Sequence, residues 1–262
     1  MDARLMHMML EVDEHHWWYR GRRAIIAGEL ERFELPSPAR VLDAGCGSGR
    51  TLLELARFGE VYGLELNEEA AAVARARGDF AIHIGRVEEL PFPDGTFDLT
   101  TCLDVIEHTP NDVAALAELR RVSRPGARLL MTVPAYQSLW SRHDVANHHY
   151  RRYSRRTLTA AAQAAGWRLE RITSFNSVLL APAAIVRLLE RNLHPGSNYV
   201  TDLHLGRRRL NRILEQPLRA EARWLSAGHT LPAGLSLLAV MRNPELVAPP
   251  LPAPVGATAG GV

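Results

Sequence analysis

Apolar residues along this chain follow two spacings, and the change from one to the other divides the sequence into elements. Over residues 1–32 they recur every three or four positions, as in Leu5, Met8 and Val12, which is typical of a helix. From 39 to 175, short continuous apolar runs alternate with helical patterns. Continuous runs are typical of strands buried on both faces, so this alternation predicts an α/β fold with a parallel sheet.

Glycines, prolines and capping residues between the apolar runs give the boundaries of these elements. Strands are predicted within 41–44, 61–66, 80–84, 97–103, 124–134, 167–175 and 231–244. Helices are predicted over 50–58, 67–77, 110–123 and 155–165, with Thr109 and Ser154 as the N-caps of the last two.

The same patterns predict how the chain is divided. An N-terminal helical segment covers 1–38, and the core consists of 39–175 and 231–244. A helical insertion, 176–230, separates the two parts of the core. Its apolar positions suit a lid over the site, a dimer contact or a peripheral contact with a membrane surface. The tail, 245–262, is rich in Pro, Ala and Gly, a composition that predicts disorder.

Composition narrows the class of partner and the compartment. The formal net charge of +2 gives no electrostatic case for binding nucleic acid, and all 31 Lys and Arg positions are Arg. Cys46 and Cys102 stand far apart, which favours a reducing compartment over a disulfide framework, and we expect a cytoplasmic protein. The charged first 16 residues do not resemble a secretory signal. The sequence contains no apolar run of about 18 residues, so no membrane-spanning helix is predicted.

Residues 40–50, RVLDAGCGSGR, lead from the first predicted strand through a glycine-rich turn into a helix. Such a turn exposes backbone N–H groups and lets a ligand approach the main chain closely. Its D-x-G-x-G-x-G spacing differs from the G-x-G-x-x-G turn that binds a pyrophosphate. Asp43 suits a cationic ligand instead, and Glu65, at the end of the second strand, can accept both ribose hydroxyls of a nucleoside cofactor.

Together these motifs resemble the class I S-adenosylmethionine-dependent methyltransferases, and the LDVIEH and RPG segments resemble their type 11 group. The resemblance implies a Rossmann-like, seven-stranded, mostly parallel sheet with helices on both faces, whose last strand is antiparallel at the sheet edge. It implies that S-adenosylmethionine is the cofactor and that Glu65 binds its ribose. The residues expected to bind the cofactor are Asp43, Gly45, Cys46, Gly47, Gly49, Glu65, Leu66, Val87, Glu88 and Leu103. Arg86 departs from the family pattern, because an aspartate often binds the adenine amino group there and Arg cannot accept that bond.

The acceptor is expected to meet two segments, LDVIEH after the fourth strand and the loop 136–153 after the fifth. His108, His143 and His148 are candidate general bases for an acidic acceptor group. The residues expected to bind the acceptor are Trp17, Tyr19, Tyr136, Trp140, Tyr150, Arg151 and Arg152.

Three alternatives stay open for these segments. The loop 136–153 suits a structural lid as well as acceptor recognition. The aromatic cluster of residues 15–23 suits a packing anchor as well as a ligand contact. The loop arginines suit an anionic acceptor group, or they pair with Asp and Glu of the chain itself. The spacing of the loop's histidines with Asp144 matches no common metal site, so no metal is predicted.

The predicted function is transfer of the S-adenosylmethionine methyl group to a nucleophilic O, N or C atom of a small-molecule or lipid-like acceptor. A homodimer through the insertion is a further expectation. One rival is a protein that binds the cofactor without methylating, such as a cyclase or a partner subunit. The other is a nicotinamide-dependent oxidoreductase, against which the glycine spacing and the long loop argue.

Overall fold

The computed structural model describes residues 12–193 and 208–245. Its strands are β1 (Ala39–Ala44), β2 (Gly59–Glu65), β3 (Ala81–Ile84), β4 (Phe97–Leu103), β5 (Ser123–Pro134), β6 (Arg168–Phe175) and β7 (Ser236–Arg242). Its helices are α1 (Trp17–Leu30), α2 (Leu52–Leu55), α3 (Glu68–Arg75), α4 (Asp112–Val122), α5 (Arg142–Ala146), α6 (Arg155–Ala164), α7 (Leu180–Leu193) and α8 (Arg208–Ser226). Short 3₁₀ turns follow β4 at Ile106–His108 and β5 at Gln137–Leu139.

The seven strands form one sheet in the order β3-β2-β1-β4-β5-β7-β6. β7 runs antiparallel to both β5 and β6, and the other neighbouring pairs are parallel. The predicted α/β class with a mostly parallel sheet is therefore confirmed. The carboxyl ends of β1, β2, β4 and β5 meet at one edge, where ligands bind in folds of this kind.

The predicted place of the last strand at the sheet edge was wrong. β7 lies between β5 and β6, so that β6 forms the edge. Burial explains the arrangement, because six of the seven residues of β7 are buried, as expected for an inner strand. The first five residues of β6 are exposed or half-buried.

One of the two predicted N-caps was also wrong. α4 is capped by Asn111, whose side chain accepts a hydrogen bond from the Ala114 N–H at 3.0 Å. The Thr109 hydroxyl donates instead to the Ile106 carbonyl, so it closes the 3₁₀ turn before the helix. Ser154 caps α6 as predicted, by accepting from the Thr157 N–H.

Apolar side chains fill both faces of the sheet. Leu42 and Leu129 belong to a buried cluster with residues of α4 and α6. Their neighbours Val41 and Leu130 belong to a second cluster on the other face, with residues of α1 and α8. Successive strand residues point to opposite faces, so the continuous apolar runs supply both layers.

α1 and α8, which the sequence assigns to separate segments, pack against each other. A Cβ on Gly21 would lie 2.4 Å from Leu218 Cδ1, so the helices meet where α1 has no side chain. Arg20 Nε lies 3.0 Å from a carboxylate oxygen of Glu215 on α8. The second helix of the predicted insertion is therefore part of the packing that holds α1 on the sheet.

The predicted disorder of the tail falls outside the described residues, as do the first apolar positions of the N-terminal segment and the middle of the insertion. Within 12–193 and 208–245, no helix has the length and apolar composition needed to cross a membrane.

Candidate active site

The turn between β1 and α2 leaves open space above its backbone. Gly45, Gly47 and Gly49 all have positive φ angles, of 82°, 54° and 78°, which favour glycine. A Cβ on Gly45 would lie 2.3 Å from a methyl of Val105, and one on Gly49 would lie 2.8 Å from Ala74. A Cβ on Gly47 would meet no atom within 4 Å. The outer glycines are thus required by packing, whereas the middle one borders a space that a ligand can fill.

Asp43 lies at the carboxyl end of β1 and is 2% exposed. Its Oδ1 accepts a hydrogen bond of 2.6 Å from the Thr101 hydroxyl of β4. Burial raises the pKa of Asp43 to about 6, against the lowering by the Thr101 bond and the charge of Arg22. A buried carboxylate that lacks a cation of its own is electrostatically suited to a positively charged ligand.

Glu65, at the carboxyl end of β2, joins two turns. One of its carboxylate oxygens accepts the Gly47 N–H at 2.8 Å, and the other accepts the Asn67 N–H at 2.9 Å. The Asn67 side chain in turn caps α3 by accepting from the Ala70 N–H. The carboxylate is therefore held in place beside the open space at Gly47.

Apolar side chains lie exposed just beyond Glu65. Leu66 is 56% exposed and Ile84, which pairs with Glu65 across β2 and β3, is 43% exposed. Val87 is buried, and Arg86 is exposed with its Nε 3.9 Å from Glu88. An apolar surface therefore lies next to Glu65, and position 86 carries no acid.

The N-terminal part of the chain contacts the site through Asp13 and Arg22, which the sequence did not predict. Asp13 accepts hydrogen bonds from the Ser48 hydroxyl and from Arg77, so the chain before α1 lies against the glycine turn. Arg22 of α1 forms an ion pair with Asp104, the residue after β4, which has a φ of 58°. These contacts join residues far apart in sequence, and no local pattern signals them.

The predicted aromatic contacts in α1 are divided between packing and the site. Trp17 is buried in the cluster beneath α1, and Trp18 stacks on Phe175 at a centroid distance of 5.7 Å. Tyr19 lies next to Arg22, whose guanidinium carbon is 5.9 Å from its ring centre, and burial raises the pKa of Tyr19 to about 12. Trp17 thus has the role of a packing anchor, which was one of the two interpretations.

Two of the three arginines in the loop 136–153, Arg151 and Arg152, pair with acids of the chain. The Arg152 Nε donates to Asp144 Oδ1 at 2.7 Å, and both residues are buried. Arg151 lies 2.9 Å from Asp112 and donates to the carbonyls of Thr109 and Pro110. These contacts agree with the alternative in which the arginines pair with acids of the chain. The anionic acceptor group stays a prediction.

Two histidines lie together near the carboxyl end of β4, and only one of them, His108, is among the predicted bases. His108 and His149 lie with ring centres 4.6 Å apart, whereas His148 is exposed. His143 is further off, with its ring centre 6.2 Å from that of His149. Burial lowers the pKa of His108 to about 4, so this ring is neutral at neutral pH. From the sequence, His149 is considered only as a metal ligand and its neighbour His148 is the candidate base, because the sequence does not distinguish the directions of the two side chains.

Three further predicted residues lie around this group. Tyr136 and Trp140 are half-buried beside the 3₁₀ turn after β5. Tyr150 has an exposed ring, and its backbone N–H donates to the Glu107 carbonyl at 2.7 Å. That backbone bond ties the loop after β5 to the turn after β4, which is how the two predicted acceptor segments come together.

Part of this chain is similar in sequence to known methyltransferases. The type 11 family model, described as a methyltransferase domain, matches residues 42–131, from β1 to β5. The ubiquinone biosynthesis O-methyltransferase of Hahella chejuensis is 37% identical over 109 residues, which cover 39% of this chain and 45% of that protein. Norajmaline N-methyltransferase of Rauvolfia serpentina is 33% identical over 111 residues, covering 39% and 38%. The chain thus spans less than half the length of the curated relatives it matches.

A solved structure extends the likeness in fold to most of the chain. The S-adenosylmethionine-dependent methyltransferase from Mesorhizobium loti superposes with a TM-score of 0.55 at 16% identity, covering 83% of this chain and 96% of that one. The sheet order and the glycine turn define a Rossmann-like fold for a nucleoside cofactor. With the family match over residues 42–131, they confirm the predicted resemblance to the class I S-adenosylmethionine-dependent methyltransferases. The match supports S-adenosylmethionine as the cofactor.

Proposed function

We propose that this protein transfers the methyl group of S-adenosylmethionine to a hydroxyl oxygen of a small-molecule or lipid-like acceptor. The observation that carries the proposal is the open space at Gly47, which has no side chain and lies beside the carboxylate of Glu65. All three glycines have positive φ angles, and packing against Val105 and Ala74 gives a second reason for glycine at 45 and 49. At Gly47 the described residues leave the space above the backbone open, and close approach of a ligand would be the second reason there.

The residues around that space fit the cofactor. When bound, S-adenosylmethionine supplies an electrophilic methyl on a cationic sulfur. Asp43 would face the positive charge of its amino-acid end, and Glu65 would accept the ribose hydroxyls with lone pairs that Gly47 and Asn67 leave free. Leu66 would pack on the base, with Val87 and Glu88 alongside. Cys46 and Leu103, both buried, would support the turn and the end of β4.

The acceptor would lie at the carboxyl ends of β4 and β5. The group of His108 and His149 lies there, together with Tyr136, Trp140 and Tyr150 of the loop. Methyl transfer is a displacement in line with the sulfur–carbon bond, so the protein's main contribution is to align the acceptor and exclude water. The name of the Hahella relative, an O-methyltransferase of ubiquinone biosynthesis, is the reason for proposing oxygen rather than nitrogen or carbon.

The predicted division of the chain is kept as part of the proposal, with one refinement. α8 supports α1, so a lid role belongs to the first part of the insertion. α7 follows β6 at the edge where the parallel strands end, and its residues Ile185 and Val186 are more than half exposed. We expect this helix to cover an apolar acceptor.

Turnover tests the proposal. The protein is incubated with S-adenosylmethionine and a panel of hydroxylated aromatic and isoprenoid compounds, and S-adenosylhomocysteine is measured by mass spectrometry. Acceptor-dependent formation of S-adenosylhomocysteine, with a product 14 mass units heavier than its acceptor, is the expected result. If the protein binds the cofactor tightly but methylates no compound of this panel and none in a cell extract, a protein that binds the cofactor without methylating would be favoured.

A further inference from the structure

Glu107, His108 and His149 form a side-chain group that the cofactor site does not use. Each offers one potential ligand atom, and the three atoms lie within 4.8 Å of one another. Glu107 and His108 come from the 3₁₀ turn after β4, and His149 comes from the loop after β5. Two imidazoles and one carboxylate form a donor set that divalent transition metals bind, commonly with a further position open.

The carboxylate of Glu107 supplies an independent observation. The residue is 1% exposed, and its Oε2 is buried without a hydrogen-bond partner. A buried carboxylate oxygen that lacks a partner is costly, and native proteins rarely keep one without a reason. A cation bound between this oxygen and the imidazoles would remove that cost.

The surroundings of the two imidazoles are those of metal ligands. His149 Nδ1 lies 2.9 Å from Asp144 Oδ1, and a proton on Nδ1 leaves the lone pair on Nε2 for a metal. Asp144 is itself held by the buried Arg152 and by the Ser141 N–H. The backbone of Asn147 lies beside the His108 ring. Such outer contacts fix the ring orientation and the tautomer of metal-binding histidines.

We propose that Glu107, His108 and His149 bind a divalent transition-metal ion, with Zn²⁺ as the representative ion. The group lies at the carboxyl end of β4, where we place the acceptor. If the proposed methyl transfer is correct, an acceptor hydroxyl bound there would lose its proton more readily, because a metal ion lowers the pKa of a coordinated oxygen. Metal binding itself does not depend on that reaction.

Zinc affinity tests the site directly. The full chain is freed of metal with a chelator and titrated with Zn²⁺ at about pH 7.5 against a competing indicator, since affinity depends on pH. Roughly one Zn²⁺ per chain is expected to bind, and Glu107→Gln and His149→Gln are each expected to weaken binding by about 100-fold. His148→Gln is the matched control, because it removes an exposed imidazole from the adjacent position and should leave zinc affinity unchanged.

Cobalt spectra and cofactor affinity distinguish loss of the metal site from loss of the fold. Co²⁺ in the wild-type site should give visible absorption bands that both ligand variants lose. S-adenosylmethionine affinity, measured on the same proteins, should be equal in wild type and variants, which shows that the fold is intact. A wild type that binds no Zn²⁺ below about 100 μM, or an equal loss in His148→Gln, would overturn the metal site while leaving the methyltransferase proposal standing.

Discussion

We propose a cofactor-facing half and an acceptor-facing half of the site. Both lie at the same edge of the sheet, but their residues come together differently. In the cofactor-facing half, Asp43, Gly47 and Glu65 lie within one strand–helix–strand unit. In the acceptor-facing half, Tyr150 bonds to Glu107 and Arg151 to Thr109, so each contact joins two distant loops. A local motif can be identified from a single sequence, whereas contacts between loops depend on how the fold positions both.

The two halves also differ in how their charges are neutralised. Asp43 is buried with a hydroxyl as its closest hydrogen-bond partner, which leaves its charge for a ligand. Asp144 has Arg152, His149 and the Ser141 N–H, and the hydrogen bonds from His149 and Arg152 hold its pKa well below the usual range against the effect of burial. The first arrangement is suited to binding, and the second stabilises a loop.

The largest expected effect is on the stability of the acceptor-facing loop. Arg152→Gln leaves the buried Asp144 without its main cation and should lower the free energy of unfolding by about 3–5 kcal/mol. Arg151→Gln, the matched control, removes a partly exposed ion pair and two hydrogen bonds to backbone carbonyls, and should cost about 1–2 kcal/mol. Urea denaturation of both variants measures the difference. Equal losses would show that Asp144 does not organise the loop.

The next effect separates the glycines of the turn. Gly47→Val should reduce S-adenosylmethionine affinity by about 2–3 kcal/mol, because its side chain would enter the open space, while the positive φ costs only about 1–2 kcal/mol of stability. Gly45→Val would collide with Val105 and should lower the melting temperature more than Gly47→Val does. Calorimetry and thermal melts check both. If Gly45→Val weakened cofactor binding more than Gly47→Val, the space at Gly47 would not be the cofactor site.

A smaller effect is expected from pH. Because the pKa of Asp43 is raised from 3.8 to about 6, the carboxyl binds its proton more tightly in the folded state. The protein without cofactor should therefore lose stability as pH rises from about 4 to 7, by at most about 3 kcal/mol. S-adenosylmethionine needs the ionised form, so its affinity should fall as pH drops below about 6, up to tenfold per unit.

Other charged groups near Asp43 require a control for that pH profile. Arg22 and Glu65 influence its charge, and Thr101 bonds to it. Asp43→Asn retains the shape and removes the titration, so its weaker cofactor affinity should be flat between about pH 5 and 7. The same slope in Asp43→Asn would assign the pH dependence to another group.

The difference between the halves also sets how much the sequence could predict. β4 was predicted with its observed bounds, Phe97–Leu103, because apolar runs report burial on both faces. The place of β7 was mispredicted, since its sequence shows that it is buried but not which strands flank it. The ion pair of Arg22 with Asp104 could not be predicted, because it requires α1 to lie over the carboxyl edge of the sheet.

Calorimetric titration with S-adenosylmethionine tests the central claim most directly. Wild-type protein at about pH 7.5 should bind the cofactor, and Asp43→Ala and Glu65→Ala should each weaken binding by about 1–3 kcal/mol, since each removes a carboxylate that we place on the cofactor. Glu88→Ala, a half-exposed residue beside the expected base, should change affinity by less than either. Unchanged affinity in both carboxylate variants, with intact thermal stability, would contradict the placement of the cofactor at this turn.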